Sequence, residues 1–276
     1  MKKWIYIALI VVFAAAFAIS GWMLFDYYYT EDQAEEAAQE MSQKVEQLRQ
    51  ENPVIQQTDP TGPAQIVWPR VEVTDPETGE MVSMLPEFAE LYTQNNDIVG
   101  WIRLDGTKVD YPVMQTPEHT DYYLKRGFDK KRTARGSIYV REECDVFAPS
   151  DNVTIYGHRM NSGSMFGELH KLKKVEFWAD HRYIQFDTLL ERHTYEIFAV
   201  FRISASVNNG FQYHLYVDMT QLEFDDYVAQ CKDRALFDTG ITPQYGEKLI
   251  TLSTCEKDNN SIRLVVVARQ IEIESE

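Results

Sequence analysis

The chain has 276 residues, of which 44% are hydrophobic and 13% aromatic, enough for one large domain with a packed core. Its formal net charge is −16 at pH 7, with 43 acidic residues against 27 basic ones. This balance argues against nucleic-acid binding, which depends on neutralising phosphates with lysine and arginine.

The chain begins with an apolar segment. Lys2 and Lys3 precede a run at residues 4–25, which as a helix rises about 33 Å, enough for a bilayer core of roughly 30 Å. Basic residues before this run and acidic ones after it predict a single-pass membrane protein. Residues 1–3 are then cytoplasmic and the rest of the chain is extracytoplasmic. Ala16-Phe17-Ala18 resembles a signal-peptidase site, so a cleaved signal peptide is the alternative, but the length of the run favours a retained anchor.

Residues 26–84 are predicted to form a helical stalk and a linker. Apolar residues recur every three or four positions from Ala34 to Leu48, which is a helical pattern. A coiled-coil dimer needs about three to four heptads, and the segment is too short for that, so we expect a monomer. Residues 52–81 are rich in proline and lack apolar periodicity, which indicates a linker.

Residues 85–276 are predicted to form one mainly β domain. A short helix at Pro86–Asn95 leads into it, and helical patches occur at Ser164–Leu172 and Gln221–Phe237. Many short strands with few helices indicate a closed or nearly closed β-barrel. The predicted strands are Val99–Leu104, Gly136–Val140, Val153–Tyr156, Tyr183–Thr188, Thr194–Ser204, Lys248–Ser253 and Ile262–Ile273.

A histidine, a cysteine and an arginine that could act together in catalysis lie at the ends of predicted strands. His158 follows a strand beside a glycine, Cys255 ends the apolar run Thr251-Leu252-Ser253-Thr254-Cys255, and Arg263 begins the next strand after a polar turn. Cross-strand neighbours lie about 5 Å apart, so the thiol and the guanidinium can share one site. A cation there favours the thiolate, which is the nucleophile, and His158 would move protons for it.

These motifs together resemble those of class B sortases, which are membrane-anchored cysteine transpeptidases of Gram-positive bacteria. The resemblance covers residues 85–273 and is carried by TLSTC, by an R-x-V-V-x-A strand that begins at Arg263, and by Y-G-H-x-M-x-x-G-S-M-F at residues 156–166. It implies an eight-stranded sortase barrel with an N-terminal helical extension and a helix inserted between strands six and seven. The helical patch at Gln221–Phe237 fits that insertion.

The resemblance also implies roles for individual residues. Cys255 would form a thioacyl intermediate with the threonine of a sorting motif, His158 would serve as acid and base, and Arg263 would face the oxyanion. The acylated substrates would be secreted proteins that carry the motif near their C-terminus, and the acceptor would be a peptidoglycan amine, from lipid II or a cross-bridge. The implied substrate-binding residues are Leu124, Ser253, Glu256 and Tyr213.

The sequence leaves two other functions open. One is an exported cysteine peptidase that hydrolyses, although papain-like enzymes place cysteine before histidine in the chain. The other is a non-catalytic wall-binding module on a sortase-like barrel, against which the complete set of Cys255, His158 and Arg263 argues. Asp75-Pro76-Glu77-Thr78-Gly79 looks like a P-x-T-G sorting signal, but it lies far from the C-terminus and is predicted to be a turn.

The remaining cysteines and histidines are predicted to be structural. Export would permit a disulfide between Cys144 and Cys231, but no spacing demands it, and two structural thiols are the favoured interpretation. No CxxC motif or histidine-rich cluster indicates a metal, and no cofactor is expected. The histidines predicted to lie at the surface or in structural positions are His119, His170, His181, His193 and His214.

Overall fold

A computed structural model describes residues 2–57, 65–206, 210–256 and 261–272. The chain divides into two units, residues 1–41 and 42–276. Helix α1 (Lys2–Glu51) begins in the first unit. Its stretch Lys3–Phe25 is long and apolar enough to cross a membrane, a test that a signal sequence near the N-terminus also meets. The apolar helix is therefore confirmed, and its orientation stays a prediction.

The predicted linker contains regular structure. Strand β1 (Ile55–Gln57) pairs with β2 (Gln65–Val67), and β3 (Val71–Thr74) pairs with β4 (Met81–Met84), each as an antiparallel two-stranded sheet. These strands have three or four residues each, too few to show a clear alternation in a proline-rich sequence. Residues 42–84, which we predicted to be stalk and linker, belong to the same unit as the barrel.

The turn between β3 and β4 is held by one aspartate. Oδ1 of Asp75 accepts hydrogen bonds from the backbone N–H groups of Glu77 and Thr78, both at 2.8 Å, and the hydroxyl of Tyr92 donates to the other carboxylate oxygen. Gly79 closes the turn at φ +75°, where a side chain would be strained. The predicted turn at this P-x-T-G-like sequence is confirmed.

A cluster of buried charges joins the end of α1 to the barrel. Arg49 pairs with Asp187, and Nη2 of Arg192 lies 2.8 Å from Oε1 of Glu87. Both carboxylates are buried. Burial raises the pKa of Asp187 to about 6, although the charge of Arg49 opposes the shift.

Eight strands form the closed barrel, as predicted. A 3₁₀ turn at Pro86–Phe88 and helix α2 (Ala89–Gln94) lead into it. The order is β10-β12-β11-β8-β7-β6-β5-β9, closing back on β10; the pairs β6–β7 and β8–β11 are parallel, and the other pairs are antiparallel. The strands are β5 (Ile98–Arg103), β6 (Asp110–Met114), β7 (Ile138–Val140), β8 (Asn152–Tyr156), β9 (Tyr183–Thr188), β10 (Thr194–Ser204), β11 (Leu249–Cys255) and β12 (Ile262–Ile271).

Strand β6, which contains a proline, was not predicted. Pro112 pairs with Trp101, and the neighbouring bond from the N–H of Leu104 to the carbonyl of Val109 makes this a non-hydrogen-bonded pair. The nitrogen of Pro112 therefore faces away from β5, towards an edge where pairing with β7 begins only at Val113. Because no ladder bond needs an N–H there, the proline is tolerated inside a strand.

Helix α3 (Val175–Asp180) precedes β9. Helix α4 (Gln221–Arg234) lies between the sixth and seventh barrel strands, as predicted. Thr220 and Glu223 form a capping box that satisfies N–H groups at its start. The helix ends before Phe237 because Ala235 adopts an extended conformation. Its buried face packs on β10, β11 and β12 in a cluster that includes Phe198, Phe201, Phe211, Phe224, Tyr227, Val228, Cys231, Val265 and Val267.

Candidate active site

The pairing of β11 with β12 brings the predicted nucleophile and cation together. Cys255 and Arg263 are direct partners in this antiparallel ladder. The N–H of Glu256 donates to the carbonyl of Ile262 at 2.9 Å, so the pair beside it is a non-hydrogen-bonded one, in which side chains approach most closely. Cys255 is half-buried. The predicted turn between the strands falls largely on residues 257–260, outside the described residues.

His158 reaches the same place along the neighbouring parallel strand. Tyr156 at the end of β8 is in register with Ser253, and the N–H of Gly157 donates to the carbonyl of Ser253 at 3.2 Å. Both chains continue in the same direction, so His158 and Cys255 each lie two residues beyond this matched pair. Adjacent strands are about 4.8 Å apart, and both residues line the same cavity.

Gly157 has no room for a side chain. A Cβ atom at this position would lie 2.5 Å from Cδ1 of Ile138 and 2.6 Å from Cδ2 of Phe166. The glycine next to the histidine therefore lets the backbone pass close to the packed interior as it leaves β8. This packing fixes the direction in which His158 emerges.

The carbonyl of Leu124 determines the tautomer of His158. Nε2 of His158 lies 2.8 Å from this carbonyl oxygen, which only accepts hydrogen bonds, so Nε2 carries the proton. In the neutral ring Nδ1 is then the basic nitrogen. Leu124 belongs to a 3₁₀ helix at Tyr122–Lys125. The residue predicted to bind substrate thus also orients the histidine, through its backbone.

Tyr213 and Ser253, both predicted to bind substrate, are bonded to each other. The tyrosine hydroxyl lies 2.8 Å from Oγ of Ser253. Tyr213 lies in a 3₁₀ helix at Tyr213–Leu215 ahead of α4 and is buried, and burial raises its pKa, so the hydroxyl stays protonated and can donate. The bond links the loop before α4 to the strand that carries the nucleophile.

A cavity of about 300 Å³ opens over these residues. It contains the thiol, the imidazole and the guanidinium together, as well as three of the four residues predicted to bind substrate. Acidic, basic and aromatic side chains share its wall. The lining residues are Thr120, Asp121, Leu124, Tyr139, Arg141, Glu142, Tyr156, Gly157, His158, Ser204, Ala205, Phe211, Gln212, Tyr213, His214, Ser253, Thr254, Cys255 and Arg263.

Arg141 is a second cation in the cavity that the sequence did not predict. It follows β7 directly, and its Nη2 donates to Oε1 of Glu143 at 2.8 Å. It also forms a hydrogen bond with Tyr156, whose pKa is raised by burial. A single arginine after a short strand carries no sequence signal that separates it from an ordinary surface charge.

The structure does not place Glu256 among the residues that line the cavity. Its side chain is 3% exposed and points into a cluster of basic residues, with Nζ of Lys173 at 2.7 Å and Nδ1 of His170 at 3.3 Å from Oε1. Nε of Arg202 lies 3.3 Å from Oε2. Burial opposes ionisation of Glu256, but the bond from Lys173 and the surrounding positive charge hold its pKa below the usual value.

The other two cysteines are free thiols. Cys144 and Cys231 are both buried and form no disulfide. Burial raises the pKa of Cys144 to about 11 and that of Cys231 further, so both stay protonated and unreactive. The interpretation of these residues as structural thiols is confirmed.

Comparison with known proteins shows the family of this chain. A sortase-domain family model matches residues 102–271. Sortase B of Listeria monocytogenes is 29% identical over 188 residues, covering 67% of this chain and 74% of that protein, and sortase B of Staphylococcus aureus is 28% identical over 191 residues, covering 68% and 76%. The crystal structure of Bacillus anthracis sortase B in complex with AAEK1 aligns with a TM-score of 0.66 and 28% identity, over 90% of this chain and 99% of that one.

The closed β-barrel, the cavity shared by Cys255, His158 and Arg263, and the family match together define a cysteine transpeptidase. The chain belongs to the sortase family and, within it, to class B.

Proposed function

We propose that this sortase cleaves a C-terminal sorting motif of secreted proteins after its threonine and transfers the acyl group to a peptidoglycan amine. One observation supports this most directly: Cys255 is the ladder partner of Arg263, and His158 lies at the matching position beyond the adjacent parallel strand. Nucleophile, cation and proton carrier therefore share one cavity.

In the first half-reaction Nδ1 of His158 takes the proton of the Cys255 thiol, and the sulfur attacks the threonine carbonyl carbon. The carbonyl π electrons move to oxygen, and the guanidinium of Arg263 stabilises that oxyanion in a partly enclosed site. When the oxyanion collapses, the C–N bond breaks and the leaving amine takes a proton from Nδ1–H of His158, since Nε2–H is held by the carbonyl of Leu124. The product is a thioester on Cys255.

In the second half-reaction an amine attacks the thioester carbonyl. Nδ1 of His158 accepts the proton that the amine loses. As the C–S bond breaks, this proton passes to the sulfur of Cys255, which restores the thiol and the neutral ring. A peptide bond has then replaced the thioester. Arg263 cannot serve as the base in either step because its guanidinium does not lose its proton.

The groove for the motif is formed by Leu124, Tyr213 and Ser253, which line the cavity on the approach to the thiol. Glu256 supports the site from the buried side of the strand end. The acceptor is a lipid II or cross-bridge amine. No cofactor takes part in this scheme.

The chain would work at the outer face of the cell membrane. Residues 1–3 form a cytoplasmic tail, 4–25 a membrane anchor, 26–84 an extension, and 85–276 the catalytic domain, which acts as a monomer. The basic residues before the apolar run and the acidic ones after it support this orientation. The long apolar helix Lys3–Phe25 supports the anchor.

The test uses the full chain in detergent with a panel of N-P-x-T-N-like and P-x-T-G peptides, with or without triglycine or diaminopimelate. Mass spectrometry should show a peptide–amine product cut after threonine, absent from Cys255→Ala and present in the buried-thiol control Cys144→Ala. If only the hydrolysis product formed with each amine tested, the alternative of an exported cysteine peptidase would be favoured. Failure of every peptide to form a thioester on Cys255 would favour a non-catalytic wall-binding module.

A further inference from the structure

The backbone carbonyl of Cys255 lies just beyond the end of a hydrogen-bonded ladder. On the edge of β11 that faces β8, the carbonyl of Ser253 accepts from the N–H of Gly157 at 3.2 Å. Carbonyls two residues apart in a strand point to the same side, so the next acceptor on this edge belongs to Cys255. Strand β8 has ended at Tyr156, and no further strand residue lies opposite to donate to it.

A side chain takes the place of the missing strand. Nε2 of His170 lies 3.2 Å from the carbonyl oxygen of Cys255. His170 belongs to a 3₁₀ helix at Gly167–Lys173, which follows the loop that begins with His158. That loop is closed by a hydrogen bond from the N–H of Phe166 to the carbonyl of His158 at 3.0 Å. One segment therefore carries the catalytic histidine and then returns to the strand of the nucleophile.

The second nitrogen of His170 is held by a buried carboxylate. Nδ1 lies 3.3 Å from Oε1 of Glu256, and Nζ of Lys173 holds the same oxygen at 2.7 Å. Because Glu256 is only 3% exposed and Arg202 lies against its other oxygen, the carboxylate has little freedom to move. The ring of His170 is thus fixed on both sides.

The protonation of His170 determines whether its contact with Glu256 is an ion pair. Carbonyl and carboxylate oxygens only accept, so the bond to Cys255 needs a proton on Nε2, and Nδ1 pairs with Glu256 as a cation only when the ring carries both protons. Burial lowers the pKa of His170, the charge of Glu256 raises it, and the charges of Lys173 and Arg159 lower it. Raising the pH through this pKa removes the ion pair with Glu256.

We propose that His170 is a positioning residue for the nucleophile. It holds the carbonyl of Cys255 through Nε2–H where the ladder has ended, and Glu256 orients the ring that does so. The backbone of Cys255 is thereby fixed relative to His158 and Arg263. The inference rests on the proposed function for its effect on turnover, and on geometry alone for its effect on the thiol.

Two variants of similar size separate the two contacts. In His170→Gln the side-chain amide reaches the position of Nε2 and can still donate to the carbonyl of Cys255. In His170→Asn the shorter amide reaches only the position of Nδ1. We expect His170→Asn to lose on the order of tenfold in kcat, which corresponds to one hydrogen bond of about 1.4 kcal/mol, at the upper end of the usual range. The Gln variant should stay within about threefold of wild type, and KM for the peptide should change in neither.

A matched control is His181→Leu. Nδ1 of His181 also contacts a backbone carbonyl, that of Phe177 at 3.0 Å, but this carbonyl is not part of the nucleophile strand. We expect its kcat to equal that of wild type. Thermal unfolding of each variant, measured on the full chain in the same detergent, should show that His170→Gln and His170→Asn are folded alike.

A second readout does not depend on any peptide. The rate at which iodoacetamide alkylates Cys255, followed by the mass of the cysteine-containing fragment, should fall several-fold in His170→Asn and be nearly unchanged in His170→Gln. Its pH profile in wild type should contain a step that His170→Gln lacks. Three results would each overturn the proposal: equal losses of kcat and alkylation rate in His170→Gln and His170→Asn, wild-type rates in both variants, or an effect confined to KM. Absent turnover in wild type with alkylation as expected would overturn the proposed function alone.

Discussion

Cys255 and Arg263 face each other as a non-hydrogen-bonded pair across β11 and β12. The register of the two strands therefore sets how close these residues lie. Register is strongly specified wherever one face of a sheet is buried, as it is in this barrel. A shift of one residue would turn every inward side chain of β12 outward. The nucleophile and the cation are thus held together by the same interactions that close the barrel, including the buried run Leu264–Ala268.

Replacing Arg263 by lysine should remove most of the activity while the fold is kept. Lysine supplies a point charge in place of a planar fork of donors, so an oxyanion would lose directed hydrogen bonds. Loss of one such donor typically costs about 10²-fold in kcat. Steady-state kinetics of Arg263→Lys with the motif peptide and an amine measure this loss.

The control for this change lies on the same strand. Arg269 pairs with Glu247 and Glu196, both at 3.1 Å, away from the cavity. Arg269→Lys should leave kcat within about twofold, as is usual for surface substitutions. If Arg263→Lys matched this control, the guanidinium would contribute only charge.

Replacing His158 by glutamine should slow formation of the thioester. The amide can still donate to the carbonyl of Leu124, but it can neither give nor take a proton, and general acid–base catalysis contributes about 10²–10⁴-fold. Single-turnover mass spectrometry of the acyl-enzyme measures the step. His214→Gln changes another histidine of the same cavity and should have little effect. Similar losses in the two variants would show that His158 has no special role.

The hydrogen bond between Tyr213 and Ser253 should couple these residues in substrate binding. Tyr213→Phe and Ser253→Ala should each lower kcat/KM about fivefold, and the double variant should be no worse than either, since both remove one bond of about 1 kcal/mol. The bond between Tyr227 and Thr251 at 2.6 Å is the matched control, because it lies on the same strand under α4. Tyr227→Phe should lower Tm and leave kcat/KM unchanged, whereas additive losses at the first pair would exclude coupling.

The buried carboxyl of Asp187 should make stability depend on pH. Its pKa of about 6 in the folded state exceeds the unfolded value of about 3.9. The folded state therefore binds more protons between these values, and the free energy of unfolding should fall as pH rises from about 4 to about 6. The total contribution is about 3 kcal/mol.

Urea titrations across this range should show a shallower pH slope for Asp187→Asn than for wild type. Asp129, an exposed residue paired with Lys131 at 2.9 Å, offers the control substitution Asp129→Asn, which should leave the slope between pH 4 and 6 as in wild type. Parallel slopes in wild type and Asp187→Asn would mean that Arg49 keeps the carboxyl ionised throughout.

The long, patterned segments of the barrel were predictable from sequence. Strands Tyr183–Thr188 and Thr194–Ser204 have the bounds that their β-branched and aromatic content predicts. The positions of His158, Cys255 and Arg263 at strand ends were predictable, because each residue lies where an apolar run meets a glycine or a polar turn. The barrel closure and the place of α4 came from the family resemblance, since strand order leaves no local sequence signal.

Contacts between distant segments were not predictable. Strand β6 contains Pro112, whose compatibility depends on which edge its nitrogen faces. His170 looked like an ordinary structural histidine because the acceptor that it reaches is a backbone atom 85 residues away. Glu256 follows the nucleophile in sequence, but successive side chains of a strand point to opposite sides, so adjacency in sequence placed it outside the cavity.

The Asp75–Gly79 turn bears on how such an enzyme distinguishes its own chain from its clients. Its Pro-Glu-Thr-Gly stretch matches the P-x-T-G pattern of a sorting signal. However, the carboxylate of Asp75 accepts hydrogen bonds from the backbone amides of Glu77 and Thr78 and holds them in a closed loop. A peptide that enters a groove towards a thiol must be extended. Under the proposed function, recognition of this stretch would require the β3–β4 hairpin to open first, so the turn disfavours self-cleavage at this loop.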